Sequence, residues 1–434
     1  MLLESGKTTS RKARSKIGTP SSSNGGSPAA SRNGSRVPSR NASDDDDELS
    51  DGSQWGTNSI DELIAPDVEE GAPDAWIADL RERIEQICDR KRSSAEGREN
   101  TLNAFTLDLT RHYAHDEIKV KMSELVPAVL KSVKAGQTER ETVLALKAIA
   151  LMLITLPSDT FYDAVAGPIK TTIQDAQQPA AKLAAIHALS IATFFGGAAT
   201  EEVEEVMDFF LEVVSSDGGA IEEQDNAQIV TAALEEWGFL ATQLEDMEET
   251  TEVAMETFVE QLESSDVGVQ IAAGENIALM FEKSFTEAES DEDEPPEEEQ
   301  EEANGHGPRM VKRYTVYRQQ HQLENTLEQL TRESSKRLSK KDKKNLHTAF
   351  ADILNTVEKP TRGPRYSTAL DDEGRELGSR LKITVHGGGR MTIDTWWKLH
   401  RLNGLKRLLQ GGFLVHYEHN EVVFDSLPVI VEDG

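Results

Sequence analysis

The chain has 434 residues, a net charge of −32, 37% hydrophobic and 29% charged residues, and one cysteine. Its length accommodates about two or three domains, and the single Cys88 excludes an internal disulfide framework and suits a reducing compartment. No apolar run approaches the roughly 18 residues of a membrane span, and Met1-Leu2-Leu3 gives way at once to polar residues, so neither a spanning helix nor a secretory leader is expected.

The charge is segregated. Residues 5–40 are basic, 44–51 acidic, 201–302 strongly acidic and 309–407 basic. Local sign therefore matters more than the total, which argues against the whole chain behaving as a nucleic-acid binder.

Residues 1–72 are rich in Ser, Gly, Asn, Arg and Asp and lack periodic apolar positions, which predicts a disordered tail. Ser43 precedes the run Asp44–Glu48, a context that acidophilic kinases favour and that serves equally as a solvated linker. A short amphipathic island, WGTNSIDELI (55–64), has the character of a docking segment, for a partner or for the chain's own helices.

From Asp74 to about Ser284 the pattern is helical. Candidate helices run 74–91, 96–115, 117–134, 137–155, 159–175, 180–195, 200–215, 225–243, 247–264 and 267–283. They are punctuated by Gly136, Pro157-Ser158-Asp159, Gln178-Pro179, Gly196-Gly197, Asp217-Gly218-Gly219 and Ser264-Ser265-Asp266. Connections this short place neighbouring helices antiparallel. In 141–155, Val143, Leu146, Ala150 and Leu153 fall on one face, while Leu144, Ala148 and Leu151 fall on a second. A helix with two apolar stripes is sandwiched between neighbours. Helix pairs repeating about every 40 residues predict an all-α fold, an armadillo/HEAT-like α-solenoid, with a compact helical bundle as the alternative.

Glu287–Glu302 holds eleven acidic residues interrupted by Pro295-Pro296. Self-repulsion and the prolines predict an acidic disordered linker over 286–308, separating a helical repeat domain (73–285) from a small, mainly helical basic C-terminal module (309–434). There the run Lys340-Lys341-Asp342-Lys343-Lys344 opens a helix with a stripe of Leu346, Phe350, Ile353 and Leu354, ended by Lys359-Pro360. Leu381–Val385 and Arg390–Ile393 predict a hairpin around Gly387–Gly389. Asp394 or Thr395 then caps a last helix that ends at Gly411-Gly412.

Catalytic motifs fail on inspection. Gly6-Lys7-Thr8 lacks the first glycine and the preceding strand of a phosphate-binding loop. His386-Gly387-Gly388-Gly389 has no nucleophile elbow to serve, and His112/His115 or His416/His419 would bind a metal only with further ligands. The expectation is a protein without enzymatic activity, cofactor, metal, small-molecule substrate or membrane contact. Binding chemistry remains. On the last helix Trp396, His400, Asn403 and Arg407 align in one aromatic and polar stripe, and Trp397, Arg401, Leu405 and Leu408 in another. The first stripe, with Lys340, Lys341, Lys343 and Lys344, suits an RNA-rich or acidic surface, or else the tryptophans fill a small core and the lysines are a solvated helix start.

The segments SKKDKKNLHTAFADIL (339–354), RMTIDTWWKLHRLNGLKRLLQGG (390–412) and HNEVVFD (419–425) resemble the C-terminal domain of the interferon-related developmental regulator family, and the helical region before them is similar to that family's N-terminal domain. The resemblance covers roughly 45–430. It implies an armadillo-like fold and a non-catalytic regulatory role: family members act as transcriptional co-regulators with deacetylase complexes, and associate with inactive ribosomes. Two readings follow. One is an adaptor whose solenoid meets proteins while the basic module meets ribosomes or RNA; the other is a nuclear co-regulator bridging transcription factors and deacetylase complexes. The expected location is cytoplasmic, nuclear or both.

Overall fold

The computed structural model describes residues 75–90, 93–288, 309–332, 339–370, 374, 376–384, 390–428 and 431–432. The tail 1–72, with its kinase context and its 55–64 island, and most of the acidic linker lie outside these residues.

Eleven helices open the described chain: α1 (Ala75–Cys88), α2 (Ala95–Arg111), α3 (His115–Lys119), α4 (Met122–Ala135), α5 (Glu139–Thr155), α6 (Phe161–Asp175), α7 (Pro179–Phe195), α8 (Thr200–Ser215), α9 (Ala227–Ala241), α10 (Glu248–Gln261) and α11 (Val267–Lys283). The helix expected over 117–134 is two, α3 and α4, with Val120 79% exposed at the break. Polar caps begin several of them. Ser94 accepts from Gly97 N–H at 3.0 Å, Thr138 from Glu141 N–H at 3.1 Å, and Asp266 from Gly268 N–H at 2.8 Å. Each cap satisfies an amide that the helix itself cannot. The Gly196-Gly197 break is required by packing: Gly197 has φ +85°, and a Cβ there would lie 2.2 Å from Asp159 Cα.

The helices form two layers. In the inner layer α2, α5, α7, α9 and α11 lie side by side, each against the next. In the outer layer α1 packs on α4, α4 on α6, and α8 on α10. The buried Lys182 closes the remaining gap, donating through Nζ to the Ile221 carbonyl of the 3-10 turn Gly219–Ile221, which touches both α6 and α8. This two-layered stacking is the helical solenoid that the periodicity indicates. The sandwiched position of α5 accounts for its two apolar stripes: every residue from Ala145 to Thr155 except Lys147 is buried.

Residues on either side of the acidic insert belong to one packing unit. Strand β1 (Phe285–Glu287) pairs antiparallel with β2 (Met310–Lys312), Phe285 opposite Lys312 and Glu287 opposite Met310. Ala288 N–H donates to the Arg309 carbonyl at 2.8 Å, so the insert leaves and returns at one point. Beyond it α12 (Gln320–Arg332) and α13 (Lys340–Glu358) pack together, and α13 lies against α11. Leu323, Leu327 and Leu330 of α12 and Leu346, Phe350, Ile353 and Val357 of α13 are buried, at helical spacings. This pair is the next hairpin of the solenoid, not the start of a detached module.

A hairpin of β3 (Tyr366–Leu370) and β4 (Glu376–Ser379) follows. A three-stranded antiparallel sheet, in the order β5-β6-β7, joins β5 (Lys382–Thr384), β6 (Arg390–Thr392) and β7 (Val431–Glu432). The strands of the expected hairpin are therefore present, while its glycine turn lies outside the described residues. The chain ends in α14 (Trp396–Leu409), a 3-10 turn (Gln410–Gly412), α15 (Phe413–His419) and α16 (Glu421–Ser426). Helix α14 lies on the inner layer, touching α2, α5, α9 and α11. No helix among the described residues is long and apolar enough to cross a membrane.

Candidate functional site

The inner layer of a helical solenoid is the surface expected to receive partners, and here the chain's own α14 lies on it. Its docking begins at the helix start. Thr395 precedes the helix but makes no side-chain cap; the carboxylate of Glu282, on α11, accepts Trp396 N–H at 2.6 Å and Trp397 N–H at 3.0 Å. A carboxylate at a helix N-terminus meets both unsatisfied amides and the positive end of the helix dipole. Desolvation nonetheless dominates and pushes its carboxyl up to about 7, although the two amides favour the charged form. The Trp396 ring is buried and donates through Nε1 to Thr356 Oγ1 of α13 at 2.7 Å.

One turn on, His400 packs where α9 has no side chain. A Cβ on Gly238 would come within 2.5 Å of His400 Cε1 and 2.2 Å of Asn276 Oδ1. Gly404 likewise admits the Phe239 ring. Two glycines thus let α14 and α9 approach closely. Burial lowers the His400 imidazole to about 4, so it sits neutral near the Glu275 carbonyl, 3.4 Å from Nε2. Burial and the neighbouring Glu235 push the Glu275 carboxyl up to about 8.

Arg407 is also buried. Its guanidinium donates to Glu236 Oε1 and lies 3.0 Å from Glu235 Oε2. His187 Nδ1 is 2.6 Å from the same Glu236 oxygen. Burial would raise the Glu236 carboxyl, but Arg407 and His187 together hold it down to about 2. Arg401, on the second stripe, is a clasp. It donates through Nε to Thr242 Oγ1 at 2.9 Å and to the carbonyls of Thr242 (3.1 Å) and Ser426 (2.8 Å), and stacks over Phe194 and Trp397. It and Lys283, which donates to the Leu244 carbonyl, put positive charge at the C-terminal end of α9, where the helix dipole favours it.

The rest of the chain follows the same layer. Gly412 lies against the Thr110 carbonyl, His416 Nε2 is 2.9 Å from the Leu109 carbonyl, and Asn420 Nδ2 donates to Ile154 O at 2.9 Å. Residues 396–420 therefore bridge from α11 back to α2.

This corrects the expected binding stripe. Trp396, His400 and Arg407 are 2%, 6% and 3% exposed, so they hold the inner face together and offer nothing to an outside partner. The small segment is short of core, and the solenoid supplies it. Of the four lysines, Lys340 and Lys341 start α13 with side chains outside the described residues; Lys343 is half-buried and Lys344 exposed. Sequence reasoning missed Glu282, Glu236 and His187. The last two carried a signal: each is a polar residue within a nearly continuous apolar helix.

The exposed surface is sorted by charge. Helices α8 and α10 carry exposed Glu201, Glu204, Glu205, Asp208, Glu248, Glu252 and Glu256, while Lys312, Arg318, Lys344, Lys359, Arg380 and Lys382 are exposed in the C-terminal stretch. A family model described as interferon-related developmental regulator matches residues 39–358. An uncharacterised protein of Schizosaccharomyces pombe is 25% identical over 378 residues, covering 86% of this chain and 80% of its own length. Interferon-related developmental regulator 1 of Sus scrofa is 24% identical over 387 residues (84% and 75%), and its namesake in Mus musculus 23% identical over 388 (84% and 75%).

Proposed function

We infer that this chain, which belongs to the interferon-related developmental regulator family, is a non-catalytic scaffold regulating gene expression that engages ribosomes or similar RNA-rich particles through exposed cations of its C-terminal stretch. The observation that carries this reading is the sorting of the basic side chains. Arg401 and Arg407 are half-buried and buried, respectively, in holding α14, whereas Lys312, Arg318, Lys359 and Arg380 lie on the exposed surface. Cations placed this way suit phosphate backbones, and the acidic residues of α8 and α10 repel the same backbones and restrict the orientation of binding. With α14 on the inner layer, protein partners meet the outer helices.

The test is gradient sedimentation of the full chain in lysate, with and without nuclease, at low and moderate salt. Comigration with ribosomal particles that survives mild nuclease, falls with salt, and weakens when Lys312, Arg318, Lys359 and Arg380 become Glu supports the reading. Protein confined to light fractions, with a nuclear pool that captures deacetylase subunits without RNA, overturns it in favour of transcriptional co-regulation.

A further inference from the structure

The 55–64 island lies outside the described residues, yet inside the matched stretch 39–358, which begins well before α1. A receptor of fitting chemistry lies close by in the chain. Between the C-terminal end of α1, the start of α2 and the middle of α4 is a cavity of about 200 Å³. Engineered apolar cavities of ~150 Å³ hold a benzene ring, so this one admits a large apolar side chain. Ile87, Leu102 and Val129 give it an apolar wall, and Arg90 and Arg98 line it.

Those two arginines converge on one buried acid, with Glu99 a further acid near Arg98. The fully buried Glu141 accepts from Arg98 Nε at 2.7 Å and Nη2 at 2.8 Å, and from Arg90 Nη2 at 2.6 Å. Two guanidiniums share one buried carboxylate, and the acid that also lines the cavity, Asp89, is exposed to water.

The island complements this site. Residues 55–74 contain six acidic residues and no Lys or Arg. Helical spacing would put Ile60, Leu63 and Ile64 on one face, with Asp61 and Glu62 beside it. The ten residues 65–74 span up to ~33 Å, and the 14 residues of α1 rise ~21 Å. The tether is therefore long enough for Ile64 to reach the far end of α1. The end helix of a solenoid also lacks a neighbour for its outer face, a deficit that terminal caps remedy.

We propose that Trp55–Ile64 docks in cis over this cavity, its apolar face on the Ile87–Val129 wall and its carboxylates toward Arg90 and Arg98, as the N-terminal cap of the solenoid. The test is hydrogen exchange on the full-length protein, alongside Leu63→Asp and, across the cavity, Thr101→Glu. The expected result is exchange at 60–64 about tenfold or more slower than in an unprotected peptide, lost in both variants while α5, α7 and α9 keep their protection. Unprotected amides at 60–64 in the parent chain overturn the proposal. So does protection that both variants leave intact. Protection that disappears on dilution assigns the site to a second copy of the chain and overturns docking in cis.

Discussion

The Glu282 carboxylate caps a helix that starts 114 residues later, taking Trp396 N–H at 2.6 Å. The start of α14 is therefore held by tertiary structure. Thr395 makes no side-chain cap, and the Asp394 carboxylate accepts from Lys398 Nζ at 2.6 Å. Replacing Glu282 with Ala removes the acceptor for two amides. The expected cost is about 0.5–2 kcal/mol in denaturant unfolding, the range of a lost N-cap. The loss localises: exchange accelerates at 396–400 more than in α5 or α7. An even acceleration across the chain rejects the capping role.

Arg407 and Glu236 make the most consequential buried pair, 171 residues apart in the chain. Arg407→Met leaves the Glu236 charge with His187 and the weaker environment around it. Removing one partner of a buried ion pair costs about 3–5 kcal/mol. Pairing the change with Glu236→Gln removes the stranded charge, and the double variant is expected to recover a large part of that loss. A double-mutant cycle in urea measures the coupling, and additive effects would show that the two side chains do not depend on each other.

Gly238 and Gly404 test the approach of α14 to α9 from both sides. Alanine is a better helix former than glycine by about 1 kcal/mol, so propensity alone predicts that Gly238→Ala and Gly404→Ala stabilise. Packing predicts the reverse, because each new Cβ lands within 3 Å of a neighbour: Asn276 and His400 in one case, the Phe239 ring in the other. Overpacking of this kind costs about 1–3 kcal/mol. A lowered urea midpoint at unchanged m-value is the expected outcome for both.

These contacts explain which parts of the architecture were legible in the sequence. Helices such as α7 and α11 were readable within a residue or so because their apolar periodicity and punctuation are local. The alignment of Trp396, His400 and Arg407 was readable for the same reason. Which way that stripe faces was not, since it depends on Gly238, Glu236 and Glu282, residues 114 to 171 positions away. Similarly, the charge reversal across 287–309 resembles a domain boundary, but the β1–β2 pairing that closes the insert rests on three-residue strands with no pattern of their own. Glu141 sits in the first turn of a predicted helix, where an acid is unremarkable; only Arg90 and Arg98, more than 40 residues earlier, make it a buried anchor.

The interface of α14 also predicts how stability follows pH. Glu275 has its carboxyl pushed from the ordinary 4.5 up to about 8 by burial and by Glu235. A carboxylic acid with a raised folded-state value binds its proton more tightly in the native protein than in the unfolded chain. Its contribution is therefore fully present below about 4.5 and is lost as pH rises through about 8. His400 acts in the opposite sense at lower pH. With its imidazole lowered to about 4, its contribution is present above the ordinary 6.5 and is lost as pH falls toward 4. Glu275→Gln should therefore stabilise the protein relative to the parent by an amount that grows between pH 5 and 8 (roughly the window between the two Glu275 values). His400→Gln should flatten the decline of stability between pH 6.5 and 4. Unfolding curves of the parent and each variant across pH 4–8.5 check both. A Glu275→Gln advantage that stays constant over that range would mean Glu275 ionises normally in the folded protein, and would remove the desolvated character assigned to the α11–α14 contact.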